Sequence, residues 1–253
     1  MALFGNKKGR KAEEGAPQEL LVPTHIAIIP DGNRRWAREH HLPVPTGHFQ
    51  GAKALMRIAR HAQDLGVKYI TFYTFSTENW NRSEEEISAI MRIVLSFFRN
   101  SDEEMGADKF RTRVLVKGEM SALSEDLRKE IDRVVKETAG NKGTTTILAL
   151  NYGGRDELTH AVRSIAREVE EGKISSSDIT QDTISEHLYT ADIPDPDLLI
   201  RTSGEMRISN FLLWQLAYTE FVFSDKYWPA FENEDLDKAI EAFNHRKRRF
   251  GAG

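Results

Sequence analysis

The sequence predicts an α/β fold: a single domain with a mostly parallel central sheet of about six strands, flanked by helices. Short runs of β-branched and aromatic residues alternate along the chain with longer segments of helical periodicity. The length of 253 residues suits one domain with a sizeable core. Polar clusters follow four of the predicted strands, at the edge where parallel α/β sheets bind their ligands.

The predicted strands are short apolar runs, of which Ile26-Ala27-Ile28-Ile29 is the first. It is brief and β-branched, which favours a fully buried strand over a helix. Pro30 and Asp31-Gly32-Asn33 then stop the strand and turn the chain. In chain order, the six predicted strands cover 26–29, 67–75, 114–116, 144–150, 197–202 and 221–223.

The segments between these strands carry apolar residues at helical spacing. A loop over 42–45 precedes the second helix, which Gly66 ends. Ser83-Glu84-Glu85-Glu86 is a capping box and starts a long third helix. Helices are predicted from Arg34 onwards, over 47–65, 87–98, 123–135 and 158–169, in a short segment before Pro194, and after a cap at Asn233.

Composition narrows the possible functions. The net charge is −4, which argues against a nucleic-acid partner. The chain has no cysteine, which excludes disulfides, thiolate catalysis and Cys-ligated zinc, and fits a cytoplasmic location. No run approaches the ~18 apolar residues of a membrane span, and the N-terminus lacks a signal-peptide core. Residues 1–21 are predicted to be a disordered tail, and 22–253 the domain.

The first polar cluster, Asp31 to Arg35, follows the first strand and opens a helix. Free backbone N–H groups and the positive end of a helix dipole face one point at such a junction, which favours a phosphate or diphosphate. A carboxylate beside that anion, Asp31, makes sense if Mg²⁺ bridges the two. An ordinary turn followed by a solvated basic helix is the alternative.

Three further clusters follow later strands: 76–82, 151–155 and 201–210. Together with the first cluster they would bring several arginines to one edge of the sheet. Gathered arginines repel one another unless anions lie among them, and their planar groups suit phosphates. The arginines gathered at this edge therefore predict one diphosphate site, or two. The arginines concerned are Arg35, Arg82, Arg155, Arg201 and Arg207.

The predicted helix over 87–98 has an unusually wide apolar face. Because it begins at the polar edge, it could form one wall of an apolar tunnel between the sheet and the helices. Core packing or a dimer interface would also explain the pattern. Motifs for a P-loop, a dinucleotide fold, a catalytic zinc, a nucleophile elbow and an aspartate-rich prenyl synthase pair are absent from the sequence.

Several long motifs resemble the cis-prenyltransferases, the undecaprenyl diphosphate synthase-like isoprenyl transferases. They are HIAIIPDGNRRWA, GHFQG, FYTFSTENWNR, LNYGGR, DLLIRTSGEMRISNFLLWQLAYTEF and RRFG, in the family's order. The resemblance implies Mg²⁺-dependent condensation of isopentenyl diphosphate onto an allylic diphosphate, usually farnesyl diphosphate. The product would be a cis-polyprenyl diphosphate such as undecaprenyl diphosphate, a cell-wall lipid carrier. It also implies a homodimer with an apolar tunnel, and at most peripheral membrane contact for product release.

Site roles follow from the resemblance, position by position. Asp31 corresponds to the catalytic aspartate that handles Mg²⁺, and Glu220 to a further metal ligand. Asn79 is the candidate for proton removal, although an asparagine more plausibly orients the group that takes the proton. Glu86 matches a family acid, but its place in the capping box explains it equally well. The C-terminal Arg249-Phe250-Gly251 corresponds to a segment that reaches the partner subunit's site. The substrate-binding residues implied are Gly32, Asn33, Arg34, Arg35, Trp36, His48, Ser76, Thr77, Glu78, Trp80, Arg82, Arg201, Arg207, Ile208 and Ser209.

The chain departs from the family pattern at Pro30, Arg34, Val44 and Met206. Val44 replaces an arginine four residues before His48, so we expect Arg34 to supply the lost diphosphate contact. Two other functions remain open at this point. One is a non-catalytic partner subunit of such an enzyme, and the other is a Mg²⁺-dependent phosphohydrolase. Product length and preferred primer are not predicted, because they depend on the depth of the tunnel.

Overall fold

The computed structural model describes residues 21–106 and 111–245, and six strands form its centre. All pairings among these strands are parallel, in the order β3-β4-β2-β1-β5-β6, which confirms the predicted sheet. The predicted tail and the C-terminal Arg249-Phe250-Gly251 lie outside the described residues, apart from Leu21. The strands are β1 (His25–Ile29), β2 (Tyr69–Ser76), β3 (Arg113–Lys117), β4 (Thr145–Tyr152), β5 (Leu198–Arg201) and β6 (Glu220–Phe223).

Helices connect these strands and cover the sheet. Short 3₁₀ turns lie at Thr77–Asn81, Ser176–Asp178 and Trp228–Ala230 within the described ranges. The helices are α1 (Asn33–Glu39), α2 (Val44–Asp64), α3 (Glu84–Arg99), α4 (Ser101–Met105), α5 (Glu125–Thr138), α6 (Gly154–Glu170), α7 (Gln181–Glu186) and α8 (Asn233–His245). No helix of these described ranges combines the length and the apolar character that crossing a membrane requires.

Two predicted helix starts were wrong in detail, and a third has only half of its predicted capping box. α2 begins at Val44 rather than after the predicted loop, because Pro45 in the first helical turn needs no intrahelical N–H bond. Asn233 is the first residue of α8 instead of its cap, and its Oδ1 accepts no hydrogen bond. Ser83 does cap α3 by accepting from Glu86 N at 3.3 Å, but the Glu86 carboxylate points elsewhere.

Successive side chains of β1 point to opposite faces of the sheet, and each face has its own part of the hydrophobic core. Ile26 and Ile28 pack on the face that α2 and α8 cover, while Ala27 and Ile29 pack on the other face with Phe211. This is the period-two pattern of a strand buried on both sides. On the first face, α3 and α5 extend the core over β3 and β4.

The strand order places a crevice between β1 and β5. The chain leaves β1 towards β2 on one side of the sheet, and leaves β5 towards β6 on the other. Connections that diverge in this way leave an open crevice at the carboxyl ends of the two strands, where α/β sheets bind ligands. Asp31 follows β1 directly, and Arg201 ends β5, so the first and fourth polar clusters meet at this crevice.

Candidate active site

The turn after β1 fixes Asp31 at the crevice. The Asp31 carbonyl accepts hydrogen bonds from Trp228 N at 2.9 Å and from Thr202 Oγ1 at 2.7 Å. Gly32 follows with a φ of +104°, and a Cβ there would lie 2.1 Å from Ser203 Oγ. The turn therefore needs glycine both for its left-handed backbone and for the space it leaves to the loop after β5.

The Asp31 carboxylate lies between two arginines. Arg201 Nη2 donates to Oδ2 at 2.9 Å, and Arg35 Nη2 lies 3.1 Å from Oδ1. Burial alone would raise the pKa of Asp31, but the hydrogen bond and charge of Arg201, joined by those of Arg35, lower the pKa below its usual value. Asp31 is therefore an anion at neutral pH, at the place where the sequence predicted a metal-binding carboxylate.

Arg201 links Asp31 to the loop after β5. Its side chain is only 4% exposed, and its Nη1 donates to Ser209 Oγ at 2.7 Å and to the Arg207 carbonyl. Ser209 and Asn210 both have positive φ angles, which turn this loop back towards the sheet. The buried guanidinium thus sets the position of the loop as well as the charge of the site.

Two glycines of the GHFQG motif bring α2 against α1. A Cβ at Gly47 would lie 2.2 Å from the Asn33 carbonyl oxygen, and one at Gly51 would lie 2.4 Å from Asn33 Oδ1. The i, i+4 spacing puts both glycines on one face of the helix. His48, between them, is thereby held in the wall of the site.

Two adjoining cavities open at this edge. The first, which we call the arginine cavity, has a volume of about 390 Å³ and is lined by Arg34, Arg35, Arg38 and Arg82. The second, the central cavity, has a volume of about 540 Å³ and is lined by Asn79, Arg201 and Ser209, among others. Asp31, His48 and Arg82 line both cavities, so one carboxylate stands where the two meet.

The segment Ser76–Arg82 forms one wall of the central cavity. Asn79 accepts a hydrogen bond from Ser76 N at its Oδ1, at 3.1 Å. Its side-chain oxygen is therefore engaged, and the amide Nδ2 is the group left to meet a ligand. Trp80 Nε1 donates to Asn151 Oδ1 at 2.7 Å, which ties the segment to the end of β4.

Glu86 is the centre of a charged cluster behind Arg82. His48 Nε2 lies 3.1 Å from Glu86 Oε1, Arg82 Nη1 donates to the same oxygen at 2.8 Å, and Arg34 Nη1 lies 3.6 Å from Oε2. Burial alone would raise the pKa of Glu86, but these partners lower it. Desolvation lowers the pKa of His48. The structure thus gives Glu86 a place in the site, beyond its backbone role at the start of α3.

Some predicted site residues lie apart from both cavities. Trp36 stacks on His40, with ring centroids 4.2 Å apart, instead of walling either cavity. Ile208 packs on the core of the second sheet face. The Arg155 side chain is exposed, and only its backbone N–H joins the site, by donating to Asn210 Oδ1 at 2.9 Å. Thr77, Trp80 and the exposed Arg207 also line neither cavity.

Glu205 is a site residue that the sequence did not single out. Its Oε1 lies 3.0 Å from Arg35 Nη1, and its Oε2 pairs with the exposed Arg207. It therefore holds one arginine from each predicted diphosphate site. Its position in the RTSGE motif carried no signal of this role, since the contact with Arg35 spans 170 residues.

Glu220 does not lie beside Asp31 within one chain, and its role as a metal ligand stays a prediction. Glu220 begins β6 and pairs with Leu198, which pairs with Ile26 on β1. Asp31 lies five residues beyond Ile26, at the opposite edge, which is roughly 15 Å along a strand.

Smaller apolar cavities lie below the site, between α2, α3 and the sheet. One of about 90 Å³ shares Asn33 and His48 with the larger cavities and reaches Val94. Another of about 80 Å³ is lined by Leu55, Phe97 and Phe98, deeper along the same helices. Leu55 lines both of these small cavities.

Comparison with known proteins shows the family to which the chain belongs. A family model described as putative undecaprenyl diphosphate synthase matches residues 29–251. The chain belongs to this family of prenyltransferases. An isoprenyl transferase of Clostridium perfringens is 46% identical over 98% of both chains. A ditrans,polycis-undecaprenyl-diphosphate synthase of Micrococcus luteus, described as (2E,6E)-farnesyl-diphosphate specific, is 41% identical over 98% of this chain and 99% of its own.

Solved structures of other prenyl diphosphate synthases share the fold. Lavandulyl diphosphate synthase from Lavandula x intermedia, in complex with dimethylallyl diphosphate, superposes with a TM-score of 0.87 at 39% identity, covering 91% of this chain and 98% of that one. A probable undecaprenyl diphosphate synthase from Campylobacter jejuni superposes with a TM-score of 0.73 at 28% identity, covering 90% of this chain and 98% of that one. The predicted fold class and family are thus confirmed.

Within this prenyltransferase, two of the four departures noted in the sequence, Pro30 and Arg34, line the arginine cavity. Val44 lies in the first turn of α2, and Arg34 lines the cavity and faces Glu86. Met206 is 77% exposed, so it is not an internal ligand of the described chain. Pro30 lines both large cavities.

Proposed function

We propose that this prenyltransferase condenses isopentenyl diphosphate onto an allylic diphosphate, farnesyl diphosphate in the first instance, with cis geometry at each new double bond. The observation that carries the proposal is the pair of cationic cavities that meet at one carboxylate, Asp31. A condensation of two diphosphates needs two anion sites side by side with their reacting carbons between them. The farnesyl specificity of the Micrococcus luteus relative supports the choice of primer.

We assign the allylic diphosphate to the arginine cavity. Four arginines line it, and three of them are on α1. Guanidinium groups bind phosphate oxygens in pairs, so this wall suits the diphosphate that must leave during the reaction. The Asp31 carboxylate at its inner end is close to where that leaving group would begin to separate.

We assign isopentenyl diphosphate to the central cavity, on Arg201, Arg207 and Ser209. Arg201 is fixed by its bonds to Asp31 and Ser209, so it presents charge without having to reorganise. Arg207 does not itself line the central cavity: its side chain is 62% exposed and is held by Glu205, so it would have to turn from Glu205 to reach a ligand there. Asn79 and Arg82 close the opposite wall.

Mg²⁺ fits this arrangement as an ion shared between protein and substrate. No cluster of three or more metal-ligating side chains occurs in the described part of the chain. Mg²⁺ usually binds one or two carboxylates together with substrate phosphates and waters, so the ionised Asp31 suffices as its protein ligand. When bound, the ion would neutralise charge that develops on the leaving diphosphate.

The chemistry then follows from the two assignments. The allylic carbon–oxygen bond breaks and its diphosphate leaves, while the terminal alkene carbon of isopentenyl diphosphate forms the new bond to the allylic carbon. A proton is lost from the adjacent methylene to restore a double bond. Because Asn79 Oδ1 is already engaged, Asn79 serves by orienting a diphosphate oxygen through Nδ2, and that oxygen takes the proton.

An apolar tunnel for the growing chain is the remaining part of the proposal. The support is the series of small cavities that leads from His48 past Val94 to Phe97 and Phe98. Most apolar residues of α3 are only half-buried, which leaves them free to line a cavity. Homodimer formation, a cytoplasmic location and peripheral membrane contact stay predictions, as does the role of Arg249-Phe250-Gly251.

The experiment that tests the proposal incubates the protein with farnesyl diphosphate, labelled isopentenyl diphosphate and Mg²⁺. Label in a longer prenyl product would support the proposed condensation. Free phosphate without a longer product would favour the phosphohydrolase alternative, and no turnover at all would favour a non-catalytic partner subunit. Omission of Mg²⁺ in a parallel reaction tests the metal requirement.

A further inference from the structure

Three loops that follow different strands converge at Gly153, beside the central cavity. A Cβ at Gly153 would lie 2.5 Å from Thr77 Oγ1 and 2.9 Å from Asn210 Nδ2. Thr77 belongs to the segment after β2, Gly153 to the turn after β4, and Asn210 to the loop after β5. The absence of a side chain at Gly153 lets the other two loops come into contact above it.

Asn210 uses each of its polar side-chain groups at this junction. Its Oδ1 accepts from Arg155 N at 2.9 Å, and its own carbonyl accepts from Gly154 N at 2.7 Å. These two bonds anchor it to the first turn of α6. Its remaining donor, Nδ2, points across the junction and donates to Glu78 Oε1 at 2.7 Å.

The Glu78–Asn210 hydrogen bond joins the two walls of the central cavity. Ser209, next to Asn210, is held by Arg201, and Asn79, next to Glu78, faces the cavity from the other wall. Through this hydrogen bond, the position of Asn79 on one wall depends on the position of Ser209 on the other.

Glu78 is an unusual residue for a cavity that receives anions. It lines the central cavity, and no lysine or arginine in the described ranges forms an ion pair with it. Neutral donors hold its carboxylate: Asn210, with Ser76 and Thr77 beside it. A carboxylate near a diphosphate costs electrostatic energy, so its presence calls for a structural purpose.

We propose that the Glu78–Asn210 hydrogen bond is a latch that positions the segment Ser76–Arg82 over the isopentenyl diphosphate subsite. Both partners are positioning residues, because they act through their neighbours Asn79 and Ser209 and not on the reacting atoms. The proposal rests on the assignment of isopentenyl diphosphate to the central cavity. It adds that a ligand bound at one wall of the central cavity orders the other wall as well.

A donor–acceptor swap tests the latch. Asn210→Asp keeps the oxygen that accepts from Arg155 N but replaces the Nδ2 donor by an oxygen that repels Glu78. Glu78→Gln added to it supplies a new donor, so the pair can bond again with reversed polarity. Glu78→Gln alone keeps an oxygen that can accept from Asn210 and should be the milder single change. Asn100→Asp, at the far end of α3, is the matched control for the charge.

Steady-state kinetics with each substrate varied provides the first readout. We expect Asn210→Asp to raise the KM for isopentenyl diphosphate about 10-fold or more, since a hydrogen bond to a charged group is lost. The KM for farnesyl diphosphate should change far less. The double variant should recover most of the loss, which a general structural defect would not do.

Hydrogen exchange of residues 76–82 in the substrate-free protein provides a second readout that requires no turnover. Faster exchange in Asn210→Asp, restored in the double variant, is the expected result. If the wild-type protein made no prenyl product, the proposed function would fail while this measurement still tested the latch. Unchanged exchange and KM in Asn210→Asp, or a double variant no better than Asn210→Asp, would overturn the latch.

Discussion

Replacing Arg201 by alanine should separate the two substrate sites. Arg201 is buried and reaches both Asp31 Oδ2, at 2.9 Å, and Ser209 Oγ, at 2.7 Å. The change removes a charged donor from the proposed isopentenyl diphosphate subsite and releases the loop after β5. A lost charge-assisted hydrogen bond costs ~1.5–3 kcal/mol, which corresponds to roughly 10- to 150-fold in affinity.

The assay is initial-rate kinetics with each diphosphate varied at a saturating level of the other. We expect the KM for isopentenyl diphosphate to rise by that factor, and the KM for the allylic primer to change far less. Arg207→Ala provides a second test of the same subsite. Its side chain is 62% exposed, so its removal should cost little stability.

Arg99→Ala is a suitable control, because Arg99 is an exposed arginine of α3 that pairs with Asp126 away from both cavities. Melting temperatures of all variants would separate a loss of fold from a loss of binding. Equal increases in both KM values, in Arg201→Ala and Arg207→Ala alike, would refute the assignment of the two cavities.

Three further predictions concern the charge of Asp31, the cluster at Glu86 and the tunnel. Arg35→Ala should raise the pKa of Asp31, because one of the two charges that lower it is lost. Since Asp31 must be ionised, the acid limb of the kcat/KM profile should move to higher pH, and an unmoved limb would count against this role. Glu86→Gln should weaken the hold on Arg82 and raise the KM for the allylic primer, with little change in Tm; an unchanged KM would leave Glu86 only its role at the start of α3. Alanine at one or more α3 positions should lengthen the product in a stable variant, and tryptophan there should shorten it. If every alanine variant instead lost ~2–5 kcal/mol of stability with unchanged products, α3 would be core only. The positions to scan are Val94, Leu95, Phe97 and Phe98.

Local patterns in the sequence were enough to predict most of the fold. The run at β1 is buried on both faces, as its uninterrupted β-branched composition indicated. The start of α2 was misplaced because the sequence Leu42-Pro43-Val44-Pro45 is typical of a loop, whereas the first turn of a helix tolerates Pro45. Such errors affect boundaries and leave the strand order untouched.

The site was harder to predict where it depends on contacts between distant segments. Glu86 had two equally good explanations in the sequence, and only the packing of α2 against α3 brings His48 to its carboxylate. Trp36 adjoins the predicted anion site in sequence, yet the helical turn carries it to His40. Glu220 is near the end of the long motif over 197–221 but starts its strand, which puts it at the opposite edge of the sheet.

The central claim is that Asp31 joins two diphosphate sites in a condensation reaction. The most direct test compares wild-type protein with Asp31→Ala in single-turnover reactions with farnesyl diphosphate, labelled isopentenyl diphosphate and Mg²⁺. Asp31→Ala removes a partner of the buried Arg201, so its Tm is measured alongside to show that the variant is folded. The folded variant should lose several kcal/mol of transition-state stabilisation, on the order of a thousandfold in rate. Near-normal formation of labelled prenyl product by Asp31→Ala would contradict the claim.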